Sequence, residues 1–246
     1  MDIEVFMYKI MNSMYNMNAP IVFKGAMVLK AIQYSTGNPS GLTRETHDLD
    51  GDWIDGKPSM GYLQGVLQYA VNNAGYNNVT VKAEREYGDK KSAGFGFYDC
   101  NDKLIVSMDL SIRPNNMAFR YSFVNGINFY GQDVTKILSD KILVCSTNRL
   151  MRRVKDVIDL YILSYSWSGY NIDIVYALNK SGNVLDNFDR FLNNVDDLRH
   201  AYSKYRNKAS VLDFDVVYKR VLCFLRPFIM RNNCKLYWNG SDWVNG

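Results

Sequence analysis

The sequence predicts an α+β protein: a mixed sheet with helices over residues 1–131, followed by an all-helical domain over 132–246. Three observations carry this reading. Runs rich in β-branched and aromatic residues, with turn residues between them, dominate from residue 79 to 130. Asn125-Gly126 lies between two such runs, and Asn-Gly in that setting is a strong hairpin signal. From Asp133 onward apolar residues recur instead at helical spacing, and the change of period near residue 131 marks the domain division.

Taken in order, Ile3, Phe6, Met7, Ile10, Met11 and Met14 set a first amphipathic helix over 3–16, its Met-rich stripe meant for core packing. Ile21-Val22-Phe23, Gly25 and the spaced residues Ala26, Leu29, Ile32 and Gln33 read as strand, tight turn and helix. Such a turn aims backbone N–H groups at a guest at the helix start, most often a phosphate. Residues 35–43 have loop composition, as do 51–58, where Asp52 and Asp55 are expected as solvated loop charges. A helix follows over 60–74. Strands are expected at 79–83, 94–98, 104–112, 119–123 and 127–130, within a sheet of four to six strands. Val134, Ile137, Leu138, Lys141 and Ile142 mark one helix, and Val154, Val157, Ile158, Tyr161 and Ile162 the next. Further helices are expected at 172–178, 184–192, 195–205 and 211–230, with Pro227 kinking or ending the last. The tail from residue 238 carries no clear pattern.

Composition bounds the class. Of 246 residues, 47% are apolar and 22% charged, enough to build a packed core. The first residues, Met1-Asp2-Ile3-Glu4, carry acid where a secretory leader needs base, and no long apolar run follows. A soluble, cytoplasmic protein with no membrane span is the expectation. Cys100, Cys145, Cys223 and Cys234 are irregularly spaced, and the two histidines, His47 and His200, are far apart, so neither a zinc site nor a disulfide framework is expected. Residues 1–132 carry 12 basic against 13 acidic side chains, whereas 133–246 carry 17 against 12. The basic half suits a polyanion such as RNA or a nucleoside triphosphate, or is an ordinary helical surface.

Candidate chemistry gathers at Arg44-Glu45-Thr46-His47-Asp48-Leu49-Asp50. On a strand, Asp48 and Asp50 emerge on one face while Leu49 points to the core. Paired carboxylates on a rigid strand suit a hard cation such as Mg²⁺ that also takes phosphate oxygens. Asp109 is a lone acid in an otherwise apolar strand, where it is either solvent-facing or paired with a cation. Lys141 lies among Ile137, Leu138 and Ile142, reading either as a snorkelling lysine or as one awaiting an anion. Arg153, Asp156 and Asp159, spaced by three, share one helix face.

Together these residues resemble the AbiEii-like nucleotidyltransferases, toxin components of bacterial type IV toxin-antitoxin and abortive-infection systems within the polymerase beta-like nucleotidyltransferase superfamily. The resemblance covers roughly residues 20–165. Phe23-Lys24-Gly25-Ala26-Met27-Val28-Leu29 looks like the family's F-K-G-G/S-x-x-L turn, and Arg44, Thr46, Asp48, Leu49 and Asp50 look like R-x-S/T-x-D-L-D. Asp109 falls where the third carboxylate belongs. Ser139-Asp140-Lys141-Ile142 is similar to the family's helix lysine motif, and Arg153-x-Lys155-Asp156-x-x-Asp159-Leu160 to R-x-K-D-x-x-D-L. Ala26 departs from the pattern by removing a hydroxyl that could bond phosphate; a hydrogen bond to a charged group is worth roughly 1.5–3 kcal/mol.

The resemblance implies an enzyme that joins an NTP to an acceptor hydroxyl and releases pyrophosphate. It assigns Asp48, Asp50 and Asp109 to Mg²⁺ or Mn²⁺, with Asp109 completing a second metal position. Lys24, Gly25, Ala26, Arg44, Thr46, Lys141, Arg153 and Asp159 would bind nucleotide, and Lys141 and Asp156 would serve catalysis, Asp156 by orienting Lys141. The implied acceptor is the 3′ end of a tRNA, the context phage defence, and a cognate antitoxin is expected to be encoded nearby. The alternatives are transfer to a small molecule or protein, and a nucleotide-binding module without catalysis.

Overall fold

Asp2 opens the first helix: its carboxylate accepts the Glu4 and Val5 N–H groups at 2.9 and 3.1 Å, two of the donors that a helix start leaves without partners. The helix, α1 (Ile3–Asn16), buries Phe6, Met7, Ile10, Met11 and Met14 completely. The chain is described here by a computed structural model that covers all residues except 43–44, 89–91, 114–116, 124, 183–184, 206–211 and 232–234, with backbone alone at 180–182. After α1 come β1 (Ile21–Lys24), α2 (Ala26–Ser35), β2 (Asp48–Trp53), α3 (Met60–Asn73), β3 (Thr80–Arg85), β4 (Ser92–Tyr98), β5 (Leu104–Ile112), β6 (Ala118–Ser122) and β7 (Asn128–Gln132). Packing divides the chain into two units, Met1–Ala31 with Thr46–Asp133 and Ile32–Glu45 with Val134–Gly246. The division passes through α2.

In the first unit the strands form one mixed sheet in the order β3-β4-β5-β2-β1-β7-β6. β2 runs parallel to β5 and β1 to β7, and the other neighbours are antiparallel. Seven strands exceed the four to six expected, because β1 and β2 join the middle of the same sheet. One face is apolar: Leu49 and Trp53 of β2, Phe95 and Phe97 of β4, and Val106, Met108 and Leu110 of β5 are all buried. The α1 residue Phe6 meets Phe97 edge to face at 6.1 Å, so α1 covers that side. The period of two then sends residues 48, 50, 52, 107, 109 and 111 to the other face.

β2 continues through Gly51, Asp52 and Trp53, where a loop is expected from composition. The reason is tertiary. A Cβ at Gly51 would lie 3.0 Å from Ile21 and 3.2 Å from Leu110, so glycine is what lets three strands close up there. Asp52 is accordingly no solvated loop charge but a buried strand residue, ion-paired with Lys24.

The second unit contains α4 (Val134–Ser146), a single 3-10 turn (Leu150–Arg152), α5 (Lys155–Ser166), α6 (Ile172–Gly182), α7 (Asp189–Asn193), α8 (Val195–Lys204) and α9 (Phe214–Ile229). α5 is buried nearly all round, packed between α4 and α9, which fits its apolar circumference. Of the helix expected over 184–192, residue 184 lies outside the described residues and 185–188 are not helical; α7 begins at Asp189, after Phe188 takes φ 60°, a conformation that cannot continue a right-handed helix. α9 runs through Pro227 and stops two residues later.

The tail, unreadable in sequence, forms the hairpin β8 (Leu236–Trp238) and β9 (Trp243–Asn245). Trp238 is fully buried, meets Phe224 at 4.7 Å and donates its indole N–H to the Ser164 carbonyl at 2.9 Å. Arg220 of α9 ties the same hairpin down by donating to the carbonyls of Gly240 and Ser164 while stacking on Trp238 at 4.8 Å. Trp238→Ala is therefore expected to destabilise the helical unit by about 3–5 kcal/mol. Urea unfolding followed by circular dichroism measures this loss.

Candidate active site

The polar face of the sheet is set by strand register. Asp50 of β2 lies directly opposite Asp109 of β5, and Asp48 lies opposite Ser107. On the other side of β2, Lys24 of β1 faces Asp50. Gly94 of β4 stands opposite Asp109, and Arg85 of β3 opposite Gly94. One row across five strands thus reads Arg85, Gly94, Asp109, Asp50, Lys24, and all three sequence-predicted carboxylates share one surface.

Several polar side chains on this surface have definite partners. Ser107 donates its hydroxyl to the Asp48 carboxylate. Arg85 Nη2 lies 2.6 Å from Asp109 Oδ1, both side chains being more than half exposed. Lys24 pairs with buried Asp52 and reaches the Ser111 hydroxyl at 3.5 Å. The ammonium predicted to meet nucleotide is therefore engaged within the sheet. Thr46 sits at the entry to β2, where its hydroxyl accepts the Asp48 N–H at 3.2 Å, a local turn that fixes the direction of the strand. Arg44 lies outside the described residues.

Gly25 is the tightest point. Its φ is +73°, and a Cβ there would stand 2.5 Å from Asp50 Oδ2. Both facts require glycine: the left-handed backbone disfavours any Cβ, and the Asp50 carboxylate fills the space it would take. Ala26, the first residue of α2, is buried. Sequence position alone did not reveal that the turn and the second aspartate are in contact.

The second unit carries a separate charge cluster. Lys141 of α4 is ion-paired with Asp156 of α5 and with Asp159 Oδ2 at 2.7 Å, and both carboxylates are buried. Arg153 Nε donates to Asp156 Oδ2 at 2.9 Å. Burial alone would push the Lys141 ammonium down, but Asp159 and Asp156 outweigh it and hold its pKa above the ordinary 10.5. Beside the cluster, burial pushes the Cys145 thiol well up, so it stays protonated and unreactive. The described cysteines, Cys100, Cys145 and Cys223, are free thiols.

A hard divalent cation needs oxygen ligands on a rigid frame. Asp48, Asp50 and Asp109 supply them on neighbouring central strands, and the bare Gly25 leaves backbone beside Asp50. Among the described residues no three His, Cys, Asp or Glu side chains converge on a metal position as they stand. Asp109 Oδ1 is paired with Arg85, so a cation taking that oxygen would displace the guanidinium. The donor set fits, with that exchange. Ser107, Ser111 and Arg85 were missed in the sequence. The serines flank Asp109 at two-residue spacing and were open to the same alternation argument. Arg85 was not, because its place depends on a register shift between Ala83 and Arg85.

The fold is shared with solved structures of other proteins. The chain is similar to a candidate nucleotidyltransferase from H. pylori, with TM-score 0.57, 16% identity and 94% of each chain covered. It is similar to JHP933 from Helicobacter pylori at TM-score 0.54 and 15% identity, covering 92% of this chain and 90% of that one. MenT4, a nucleotidyltransferase toxin from Mycobacterium tuberculosis H37Rv, matches at TM-score 0.50 and 11% identity, over 89% of this chain and 80% of its own. At these identities the likeness is one of fold. No family model and no curated protein matches the sequence. Among the described residues no helix is long and apolar enough to cross a membrane.

Two outcomes follow from this geometry. Gly25→Ala is expected to cost about 1–2 kcal/mol from the left-handed backbone and to displace the Asp50 carboxylate, with thermal unfolding and a high-resolution structure as the checks. Lys141→Met removes the ammonium that buried Asp156 and Asp159 share, with Arg153 still on Asp156, and is expected to cost about 3–5 kcal/mol. Because the Lys141 pKa is raised in the folded state, its contribution is fully present below the unfolded value of 10.5 and is lost as pH rises through the folded one. Unfolding measured from pH 7 to 11 should show that alkaline loss in the wild type and not in Lys141→Met.

Proposed function

We propose that this protein is a metal-dependent nucleotidyltransferase toxin, which moves a nucleotidyl group from an NTP to an acceptor hydroxyl and releases pyrophosphate. The observation that carries the reading is the register that sets Asp48, Asp50 and Asp109 on one sheet face against the Gly25 turn, in a fold shared with MenT4. Asp48 and Asp50 would hold Mg²⁺ or Mn²⁺, and Asp109 would complete the site. When bound, the metal supplies neutralisation of the triphosphate and activation of the acceptor hydroxyl.

The chain's own residues do the rest. Ser107 holds Asp48 on the open face, and Gly25 keeps the backbone low enough for phosphate to approach the start of α2. Lys24, locked to Asp52, fixes the end of β1 from which that turn springs. Thr46 sets the entry to β2, and Arg44 just before it would add phosphate-binding charge. In the helical unit Lys141 and Arg153 would offer positive charge to nucleotide, with Asp156 and Asp159 fixing the Lys141 side chain.

The acceptor is proposed to be the 3′ end of a tRNA, with growth arrest as the outcome and phage defence, under control of an antitoxin, as the setting. The excess of 17 basic over 12 acidic side chains in residues 133–246 supports a polyanionic acceptor. Charge reversal of Lys and Arg between 180 and 235 should weaken RNA binding and flatten its salt dependence. Unchanged binding and slope would refute the RNA acceptor.

Expression from a tightly repressed promoter tests the whole reading. The wild type should arrest bacterial growth and add nucleotides to tRNA 3′ ends, while an Asp48→Ala, Asp50→Ala variant should allow growth. Since losing even an indirect partner of a metal ligand costs about 10–100-fold, the double variant should transfer labelled NTP at least about 100-fold more slowly. Both aspartates lie on the open face, so circular dichroism should show the fold intact. Label appearing on a small molecule or protein would move the acceptor. Metal-dependent NTP binding without pyrophosphate release under any acceptor would reduce the protein to a binding module.

A further inference from the structure

Arg85 is the last residue of β3, and the irregularity between Ala83 and Arg85 brings it opposite Gly94. Gly94 is in turn opposite Asp109. A Cβ built on Gly94 would lie 3.2 Å from Arg85 Cβ and 3.6 Å from its Cζ, so the arginine side chain lies flat across a bare backbone position. Adjacent strands are about 4.8 Å apart, and the guanidinium spans two of those intervals to put Nη2 2.6 Å from Asp109 Oδ1. Such reach needs a long side chain and a glycine beneath it, and both are present.

Stability does not explain this crossing. The two side chains are 56% and 57% exposed, and exposed ion pairs add little. What distinguishes Asp109 is its other neighbour: Asp50 stands directly across from it on β2, and like charges in that relation repel. Arg85 balances the carboxylate pair from the β4 side.

We propose that Arg85 is the resident counter-cation of Asp109, which a divalent cation must displace to use that carboxylate, so that Arg85 sets the metal affinity of the site. The inference rests on the nucleotidyltransferase reading of the three carboxylates. Arg85 is here a positioning residue: its guanidinium holds Asp109 Oδ1, and it would be freed beside the triphosphate once a divalent cation took that carboxylate. Idle binding of metal without nucleotide is thereby weakened.

Mn²⁺ titration followed by electron paramagnetic resonance, on the full chain without nucleotide, tests this directly. Arg85→Gln removes one positive charge near a divalent ion at an exposed site, which should tighten Mn²⁺ binding about three- to tenfold. Arg85→Lys keeps the charge and should stay within about twofold of wild type. In an Asp109→Asn background Arg85→Gln should bring no such gain. Thermal unfolding confirms that each variant is folded. If Arg85→Gln binds Mn²⁺ no more tightly than wild type, while wild type binds better than the Asp48→Ala, Asp50→Ala variant, the counter-cation role is overturned and the metal site stands. If wild type binds Mn²⁺ no better than that double variant, the metal site and this inference fall together.

Discussion

The contact on which the first unit's chemistry depends is that of the Asp50 carboxylate against the Gly25 turn. It joins a strand to a helix start, because Gly25 lets the chain leave β1 with a positive φ and leaves open the space that Oδ2 occupies. With β1 and β2 antiparallel and in register from Ile21 to Lys24, Asp50 is brought to the turn automatically. Asp48 and Asp109 then follow from alternation along β2 and the parallel pairing with β5. Shifting either pairing by one residue would send these carboxylates into the apolar face, against Met108 and Leu110, where an unpaired charge is prohibitively unfavourable. Hydrophobic burial on one side of the sheet thus enforces the acidic surface on the other.

Much of this was legible in the sequence, and the reason is that it rests on local periodicity. The amphipathic stripe of α1, the strand character around Val106 to Leu110 and the helical spacing from Val134 onward are each set by nearby residues. The three carboxylates were legible for the same cause: Asp48 and Asp50 by alternation, Asp109 by standing alone among apolar neighbours. What escaped depends on contacts between distant segments. Gly51-Asp52-Trp53 has the composition of a turn, yet it is a central strand because Ile21 and Leu110 close on the bare glycine. The tail looks featureless, yet Trp238 is the largest fully buried side chain in its unit, held by Phe224, Ser164 and Arg220. Helix at 185–188 was expected on spacing alone, and α7 begins only after Phe188, a residue at positive φ.

The two lysines singled out in the sequence meet similar surroundings, which separates support from chemistry. Lys24 and Lys141 are each held by buried carboxylates, Asp52 in one case and Asp156 with Asp159 in the other. Buried ion pairs contribute modestly as pairs but leave a large penalty when one member is removed. They therefore fix geometry: Lys24 anchors the end of β1 beside the turn, and Lys141 locks α4 to α5.

Asp48, Asp50 and Asp109 differ in kind. They stand on the open side of the sheet, where water screens their charge and where a soluble cation can reach them. Their partners, where the contacts are resolved, are a hydroxyl on Asp48 and a half-exposed guanidinium on Asp109. Such partners exchange readily, unlike the ammonium groups packed against Asp52 or Asp159. A sheet that needed only solubility would place its acids opposite basic residues, as Lys24 opposite Asp50 does at one end of this row. Here the two acids meet in the middle, with Arg85 and Lys24 at the flanks and a bare glycine between Arg85 and Asp109. Like charges in that relation repel, and Arg85 offsets the repulsion at Asp109. On the metal-dependent reading proposed above, a divalent cation would offset that repulsion from the open side, while Arg85 already offsets it from the β4 side.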